Sequence, residues 1–342
     1  MYFIYLKVII FSFIVFYLIS KIGIYLNLVD LPQKRKLHKH PVPYTGGIGL
    51  CLIILFISFI TDLKDVAIVN ITIYSYLIAF IGLYDDRTPV TPINKIFLLL
   101  VPIVIMTLNG FNLNHIGIYE NIGYIQLGPY SYLFTTICCL ILINAVNYSD
   151  GIDGHAALTF ISSILLLIIF SKFSNIQSQK INNLISFLNL IILTNLIFIL
   201  FNHKLFTLPK LFLGDSGSLL LGFFLSFIII HIFNLGVHPA LLIWSINIFI
   251  FDFLGTSLIR IITKRKIFKP TTFDHLHHQI LKKVNNIYYV NIISVSINIF
   301  FGMIGLFFFK MIGPVSSILL YPILFFIFLY LKFKLYKNIR KN

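Results

Sequence analysis

The chain has 342 residues, of which 58% are hydrophobic and only 11% charged, whereas a soluble domain carries about 25% charged residues. So much Ile, Leu and Phe would leave more apolar surface than water tolerates, which excludes a water-soluble globular enzyme and makes lipid the solvent for most of the chain. The formal charge is +15, from 26 basic and 11 acidic residues. The basic residues lie in short clusters between apolar runs, so membrane topology accounts for the excess and nucleic acid is not an expected partner.

Windows of about 20 apolar residues predict eleven transmembrane helices. The expected fold is therefore all-α, a polytopic membrane helix bundle forming a single integral membrane domain over residues 1–342. In chain order the spans fall near 2–20, 45–61, 66–84, 93–108, 130–147, 155–171, 181–202, 217–234, 238–262, 287–309 and 312–332. The first lacks the small-residue cleavage site of a signal peptide and reads as a retained span. Residues 109–128, rich in Asn and Gly with short apolar pairs, read as a small extracytoplasmic hairpin. Cys51, Cys138 and Cys139 all sit in apolar stretches and supply no disulfide framework.

Alternation of eleven spans puts the termini on opposite sides. One set of loops, with the C-terminal tail, holds 21 of the 26 basic residues, and the other side keeps only Lys7, Lys64, Lys172, Lys180 and Lys310. This bias makes the first set cytoplasmic and places the N-terminus outside. Eight of the eleven acids then lie at or near the cytoplasmic face: Asp30, Asp85, Asp86, Asp150, Asp153, Asp215, Asp252 and Asp274. A carboxylate at the end of a span is costly unless paired, hydrated or bound to a metal, so this convergence marks a site.

Asp85 and Asp86 close the third span, before Pro89 and Pro92. Two carboxylates oppose the helix dipole there, and a divalent cation or a basic partner would relieve them; the alternative is a solvated pair neutralised by Arg87. After the fifth span come Asn144, Asn147, Asp150-Gly151 and Asp153-Gly154. If this segment is helical, Asn147, Asp150 and Asp153 share a face; a plain Asp-Gly turn is the alternative. Gly214-Asp215-Ser216-Gly217-Ser218 leads into the eighth span, where Asp215 is either a helix cap or, with Asn147, a pair of oxygen donors suited to Mg²⁺.

The longest cytoplasmic loop carries Arg260, Lys264, Arg265, Lys266 and Lys269, then Asp274-His275-Leu276-His277-His278. Imidazoles among so many cations suit phosphate oxygens or proton transfer; zinc and a solvated basic loop are the alternatives. The first cytoplasmic loop, with Lys34, Arg35, Lys36, His38 and Lys39, could orient the chain or attract an anionic head group. His115, His155, His203, His231 and His238 stand singly and read as structural.

Taken in this order, the motifs resemble the polyprenyl-phosphate N-acetylhexosamine-1-phosphate transferases, glycosyltransferase family 4, from about Asp30 to His278. The span count suits the branch that starts O-antigen, enterobacterial common antigen or teichoic acid linkage units, such as the undecaprenyl-phosphate N-acetylglucosaminyl-1-phosphate transferases. The family's aspartate pair matches Asp85 and Asp86. Its Asn-x-x-Asp-Gly-x-Asp-Gly motif matches Asn147, Asp150 and Asp153; its Gly-Asp-x-Gly-Ser motif matches Asp215; its His loop matches His275, His277 and His278. Leu276 interrupts the three consecutive histidines usual in the phospho-MurNAc-pentapeptide branch, which makes that branch the poorer match.

The resemblance implies transfer of a sugar-1-phosphate, GlcNAc-1-phosphate or a relative, from a UDP-sugar to undecaprenyl phosphate with release of UMP, starting lipid-linked cell-surface glycan synthesis. It implies Mg²⁺, with Mn²⁺ as a substitute, held by Asp215 and Asn147. Asp85, Asp86, Asp150, Asp153, His275, His277 and His278 would be catalytic; Asn144, Asn147, Arg260, Lys264, Lys36 and His38 would bind substrate. The implied place is the bacterial inner membrane with a cytoplasmic site, and a homodimer is left open. The competing class is a cation- or proton-coupled transporter, which would place its ionisable residues near the bilayer midplane.

Overall fold

The computed structural model describes residues 2–32, 38–61, 66–120, 122–174, 176, 178–266 and 274–341. Helix dominates because lipid offers the backbone no hydrogen-bond partner, so each apolar segment must satisfy its own N–H and C=O groups. Helix α1 (Tyr2–Tyr25) leads through a short antiparallel ladder, β1 (Val29–Asp30) with β2 (Val42–Pro43), to α2 (Gly46–Ile60). Then come α3 (Val66–Arg87), α4 (Pro92–Leu108) and a hairpin, β3 (His115–Tyr119) and β4 (Gly123–Gln126), with Tyr119 opposite Gly123. They are followed by α5 (Ser131–Ser149), α6 (His155–Phe173), α7 (Gln179–Asn202) and α8 (Gly214–Asn234). The chain closes with α9 (Pro239–Leu242), α10 (Asn247–Ile262), α11 (Leu276–Val284), α12 (Ile287–Met311) and α13 (Pro314–Lys341).

Among the described residues nine helical stretches are long and apolar enough to cross a membrane, and α2 and α4 are shorter apolar helices. Together they fall on the eleven expected spans, and the hairpin lies inside 109–128. The protein is an all-α, multi-pass membrane protein. Helix α3 runs three residues past its expected end, so Asp85 and Asp86 lie on its last turn. Thr91 then caps α4 by accepting from the Asn94 N–H at 3.3 Å, with Pro92 at the first helical position.

Helix α8 is the axis of the bundle. Nearly all its residues are buried, against α2, α3, α5 and α6. Its closest neighbour is α3: a Cβ added to Gly82 would overlap the backbone of Ser216, so the two helices meet with nothing between them just where their acidic motifs stand. The segment leading into α8 is tied on both sides. Phe212 N–H donates to Pro43 O at 2.8 Å, and the first N–H groups of α2, from Gly46 and Gly47, donate to Phe212 and Leu213 carbonyls at 3.0 Å. Those ties satisfy orphan donors at the head of α2 and fix the approach to Asp215.

The ninth span departs from the continuous helix expected over 238–262. A 3₁₀ turn at Ile243–Ile246 separates α9 from α10. The freed backbone groups are taken up by Asn298 of α12, whose Oδ1 accepts from Ile248 N–H at 3.3 Å while its Nδ2 donates to Ser162 Oγ at 2.8 Å. Asn247 Nδ2 donates to Trp244 O at 2.7 Å and to Asn298 O at 3.0 Å. A broken helix at membrane depth is tolerated because neighbouring side chains complete its hydrogen bonds.

Candidate active site

The acidic motifs of α3, α5 and α8 meet at one end of the bundle. Asp86 solves the dipole conflict expected of an acid at a helix C-terminus by serving another helix. Its Oδ1 accepts from Asp215 N–H at 2.9 Å and its Oδ2 from Ser216 N–H at 3.2 Å, capping the first turn of α8. Asp85 Oδ1 accepts from Val90 N–H at 2.7 Å, which folds the turn between α3 and α4. Its Oδ2 lies 2.7 Å from Lys95 Nζ, and the same ammonium lies 2.6 Å from Asp215 Oδ2. Lys95 of α4 is thus the cation between the two acids.

Asp215 Oδ1 accepts from Asn147 Nδ2 at 3.0 Å, and that amide also donates to Ser218 Oγ at 2.8 Å. Helix α5 ends at Ser149, so Asn147 lies on its last turn whereas Asp150 is its C-cap and Asp153 stands in the following turn. The shared helical face holds for neither acid. Asp150 is exposed, within electrostatic reach of Asp215, Asp86 and Asp153. Asp153 pairs with Lys210 at 2.6 Å, and its carbonyl accepts from Asn291 Nδ2 at 2.9 Å.

The histidine segment packs on that turn. A Cβ on Gly151 would strike the Nε2 atoms of both His277 and His278, so glycine there admits two imidazoles. The His277 ring packs at a tilt 4.2 Å from His278 and 4.7 Å from His155, measured between ring centroids. His155 therefore belongs to this cluster and does not stand singly. Burial, then the neighbouring His155 and His278, holds the His277 imidazole far below the usual histidine range. Burial, then His275, pushes His278 down to about 4. At neutral pH both are uncharged, which suits them to hydrogen bonding or proton transfer and not to clamping by charge.

His275 is buried, with Nδ1 2.8 Å from Asp252 Oδ2 and its ring stacked on Tyr148. Arg260 is also buried and places Nε 3.3 Å from Asp274 Oδ2, and Arg265 Nη1 reaches Asp274 Oδ1 at 2.9 Å, so the basic loop is braced by an internal acid. Lys264 is exposed. His38 bridges His40 O at 2.8 Å and Asp30 Oδ2 at 3.0 Å, edge-on to Phe212 just ahead of the Asp215 motif. Lys36 and Lys269 lie outside the described residues. His203 packs at Gly154 and stacks on Tyr288. His115 and His238 sit at the far hairpin, where His238 Nε2 lies 3.1 Å from Ile118 O.

A cleft of about 510 Å³ opens from these groups between α4, α5 and α10. Asp85, Lys95, Asn144, Asn147, Arg260 and His275 form its polar end, and Ile96, Leu140, Ile141 and Phe253 its apolar flank. Asn144 Nδ2 is bonded within its own helix, to Leu140 O at 2.7 Å. Among the described residues no three His, Cys, Asp or Glu side chains converge as a metal cage. The donors at Asp215 and Asp85 are hard carboxylate oxygens, already balanced by a Lys95 ammonium. That set fits an ion such as Mg²⁺, which takes one or two protein oxygens and otherwise keeps water and phosphate.

Sequence reasoning counted Asp252 among the converging acids without giving it a role, read His155 as structural, and took Lys95, Lys210 and Lys332 only as markers of topology. The signal was present for Lys95, Asp252 and Lys332, because an ionisable residue within an apolar span needs a partner.

The same stretch of chain is recognisable in other proteins. Residues 68–233 match the pattern of glycosyl transferase family 4. The chain is similar to the undecaprenyl-phosphate alpha-N-acetylglucosaminyl 1-phosphate transferase of Yersinia pestis, 30% identical over 281 residues covering 80% of this chain and 74% of that one. It belongs to glycosyl transferase family 4. Two further relatives agree: the Escherichia coli (strain K12) protein of the same description, 27% identical across 81% of this chain and 75% of its own, and a probable undecaprenyl-phosphate N-acetylglucosaminyl 1-phosphate transferase of Bacillus subtilis (strain 168), 26% identical across 77% and 72%. As a family 4 member the chain is a membrane-bound transferase, and the matched region holds the Asp85, Asn147 and Asp215 motifs that meet in the structure.

Proposed function

We propose that this protein transfers N-acetylglucosamine-1-phosphate, or a closely related N-acetylhexosamine-1-phosphate, from a UDP-sugar to undecaprenyl phosphate, releasing UMP. The observation that carries this reading is the cleft whose one end is ringed by Asp85, Lys95, Asn147, Arg260 and His275 and whose flank is apolar. A lipid phosphate needs both. The relatives' names supply the acceptor and the sugar; the polar end beside the bundle's loops suits a donor arriving from water.

In the proposed reaction a non-bridging oxygen of the acceptor phosphate attacks the sugar-bearing phosphorus of the donor, and the bond to the oxygen kept by UMP breaks. The acceptor's second pKa is about 6, so it is largely deprotonated at neutral pH and the reaction needs alignment and charge neutralisation more than a strong base. Asp215, oriented by Asn147 and seated by Asp86, would hold Mg²⁺. The ion would neutralise charge on the diphosphate. Lys95 keeps Asp85 and Asp215 in register and presents a cation to the cleft. Neutral His278, half-buried against the Asp150–Asp153 turn, is placed to donate to phosphate oxygens, and His277, buried behind it, supports that ring. In this reading the site faces the cytoplasm of a bacterium, the membrane is the inner one, and the product starts a lipid-linked surface glycan.

The test is turnover by purified protein with undecaprenyl phosphate, Mg²⁺ and a panel of UDP-sugars. UMP release with formation of a lipid-linked sugar is the expected result. No turnover with any of them, together with ion flux in vesicles, would replace this reading with a transporter.

A further inference from the structure

Deep beside the His segment lies a buried charged relay that the reaction above does not use. Lys332, on the last helix, is fully buried and donates to Asp252 O at 2.8 Å, to Asp252 Oδ1 and to Thr256 Oγ1. Asp252 Oδ1 also accepts from Leu276 N–H at 2.7 Å, at the head of α11, while its Oδ2 meets His275 Nδ1 at 2.8 Å. His275 Nε2 is buried and makes no hydrogen bond within the described residues, and His275 lines the cleft that also holds Lys95 and Asn147.

A carboxylate can only accept, so Asp252 fixes a proton on His275 Nδ1, and in the neutral ring the lone pair is then on Nε2. Lys332 balances the carboxylate, whose charge would otherwise be costly so deep in the bundle. One acid therefore sets the ring's position, its tautomer and the start of α11, and the last helix holds that acid in place.

We propose that Asp252 and Lys332 are positioning residues for catalysis, a Lys332–Asp252–His275 relay that fixes the position and the tautomer of the His275 ring at the wall of the cleft. Its catalytic part rests on the transferase reading above; its geometric part does not.

Asp252→Asn tests both. An asparagine oxygen can still accept from Leu276 N–H and Lys332, but its amide nitrogen then faces His275 Nδ1 and drives the proton to Nε2. In protein labelled with ¹⁵N-histidine, with the signal assigned through His275→Gln, the native ring should show the Nδ1–H tautomer and Asp252→Asn the Nε2–H tautomer. With whichever UDP-sugar the native protein uses, kcat should fall at least about 100-fold while the KM values stay within about threefold, as for loss of an orienting acid. The double variant Asp252→Asn, Lys332→Met, which leaves no unbalanced cation, should show the same tautomer and the same kcat loss if the single variant does not fold. An unchanged tautomer, or kcat within threefold of native, overturns the proposal. If the native protein uses no UDP-sugar, the transferase reading falls, and the tautomer alone still decides whether Asp252 governs the ring.

Discussion

At the scale of single residues, the arrangement around Asp215 shows how four polar groups coexist beside lipid. Asp86 spends its charge on two backbone N–H groups, Asn147 holds one Asp215 oxygen and Lys95 the other. If Asp215 serves as proposed, Asp215→Asn keeps its shape and its contact with Lys95 but should lower turnover at least about 100-fold, with the unfolding temperature near native. Lys95→Met leaves Asp85 and Asp215 facing each other without their shared cation and should destabilise the protein by roughly 3 kcal/mol. Added Mg²⁺ should raise the unfolding temperature of Lys95→Met more than that of the native protein, a result readable by thermal denaturation without any substrate.

His278 makes a separate expectation at this scale. Its imidazole titrates near 4 when folded, against 6.5 for the free side chain. Between those values the unfolded chain binds more protons, so this contribution to stability is whole above about pH 6.5 and is lost as pH falls toward 4, by up to about 1.4 kcal/mol per pH unit. The unfolding temperature should drop over that window, and His278→Gln should flatten the drop.

At the scale of elements, what was readable in the sequence divides along a physical line. The eleven spans were legible because lipid demands long apolar runs, and the acidic motifs were legible because carboxylates amid such runs need a reason to be there. The packing partners were not. A span such as α8 is apolar on every side, so its sequence carries no amphipathic stripe to say which face meets α3 or α5. Lys95 and Lys332 read only as topology markers for the same reason: their partners, Asp215 and Asp252, sit on other helices far along the chain. The break within the ninth span was hidden because its repair comes from Asn298, 50 residues beyond Ile248. Asn298→Leu would remove that repair, leaving buried donors and acceptors unmet. We expect a loss of about 1–3 kcal/mol in thermal or denaturant unfolding, with the largest rise in hydrogen exchange at residues 245–248.

At the scale of the whole molecule, the basic residues make a directional forecast. If the excess of Lys and Arg orients the chain as expected, the hairpin at 115–126 faces outward and α11 faces the cytoplasm. In a background where Cys51, Cys138 and Cys139 are replaced by alanine, a cysteine at Asn114 should react with a membrane-impermeant maleimide on intact cells. One at Lys283 should react only after permeabilisation, and the opposite pattern would turn the site to the outside.

The central seat of α8 also bears on how such a chain is made. Its apolar run is long enough to cross a bilayer by itself, yet in the finished protein nearly all of it is buried among other helices. During synthesis it must therefore leave the acyl chains and slot among α2, α3, α5 and α6, all of them made before it. A ribosome stalled before Gly214 would leave those four without the helix they pack around.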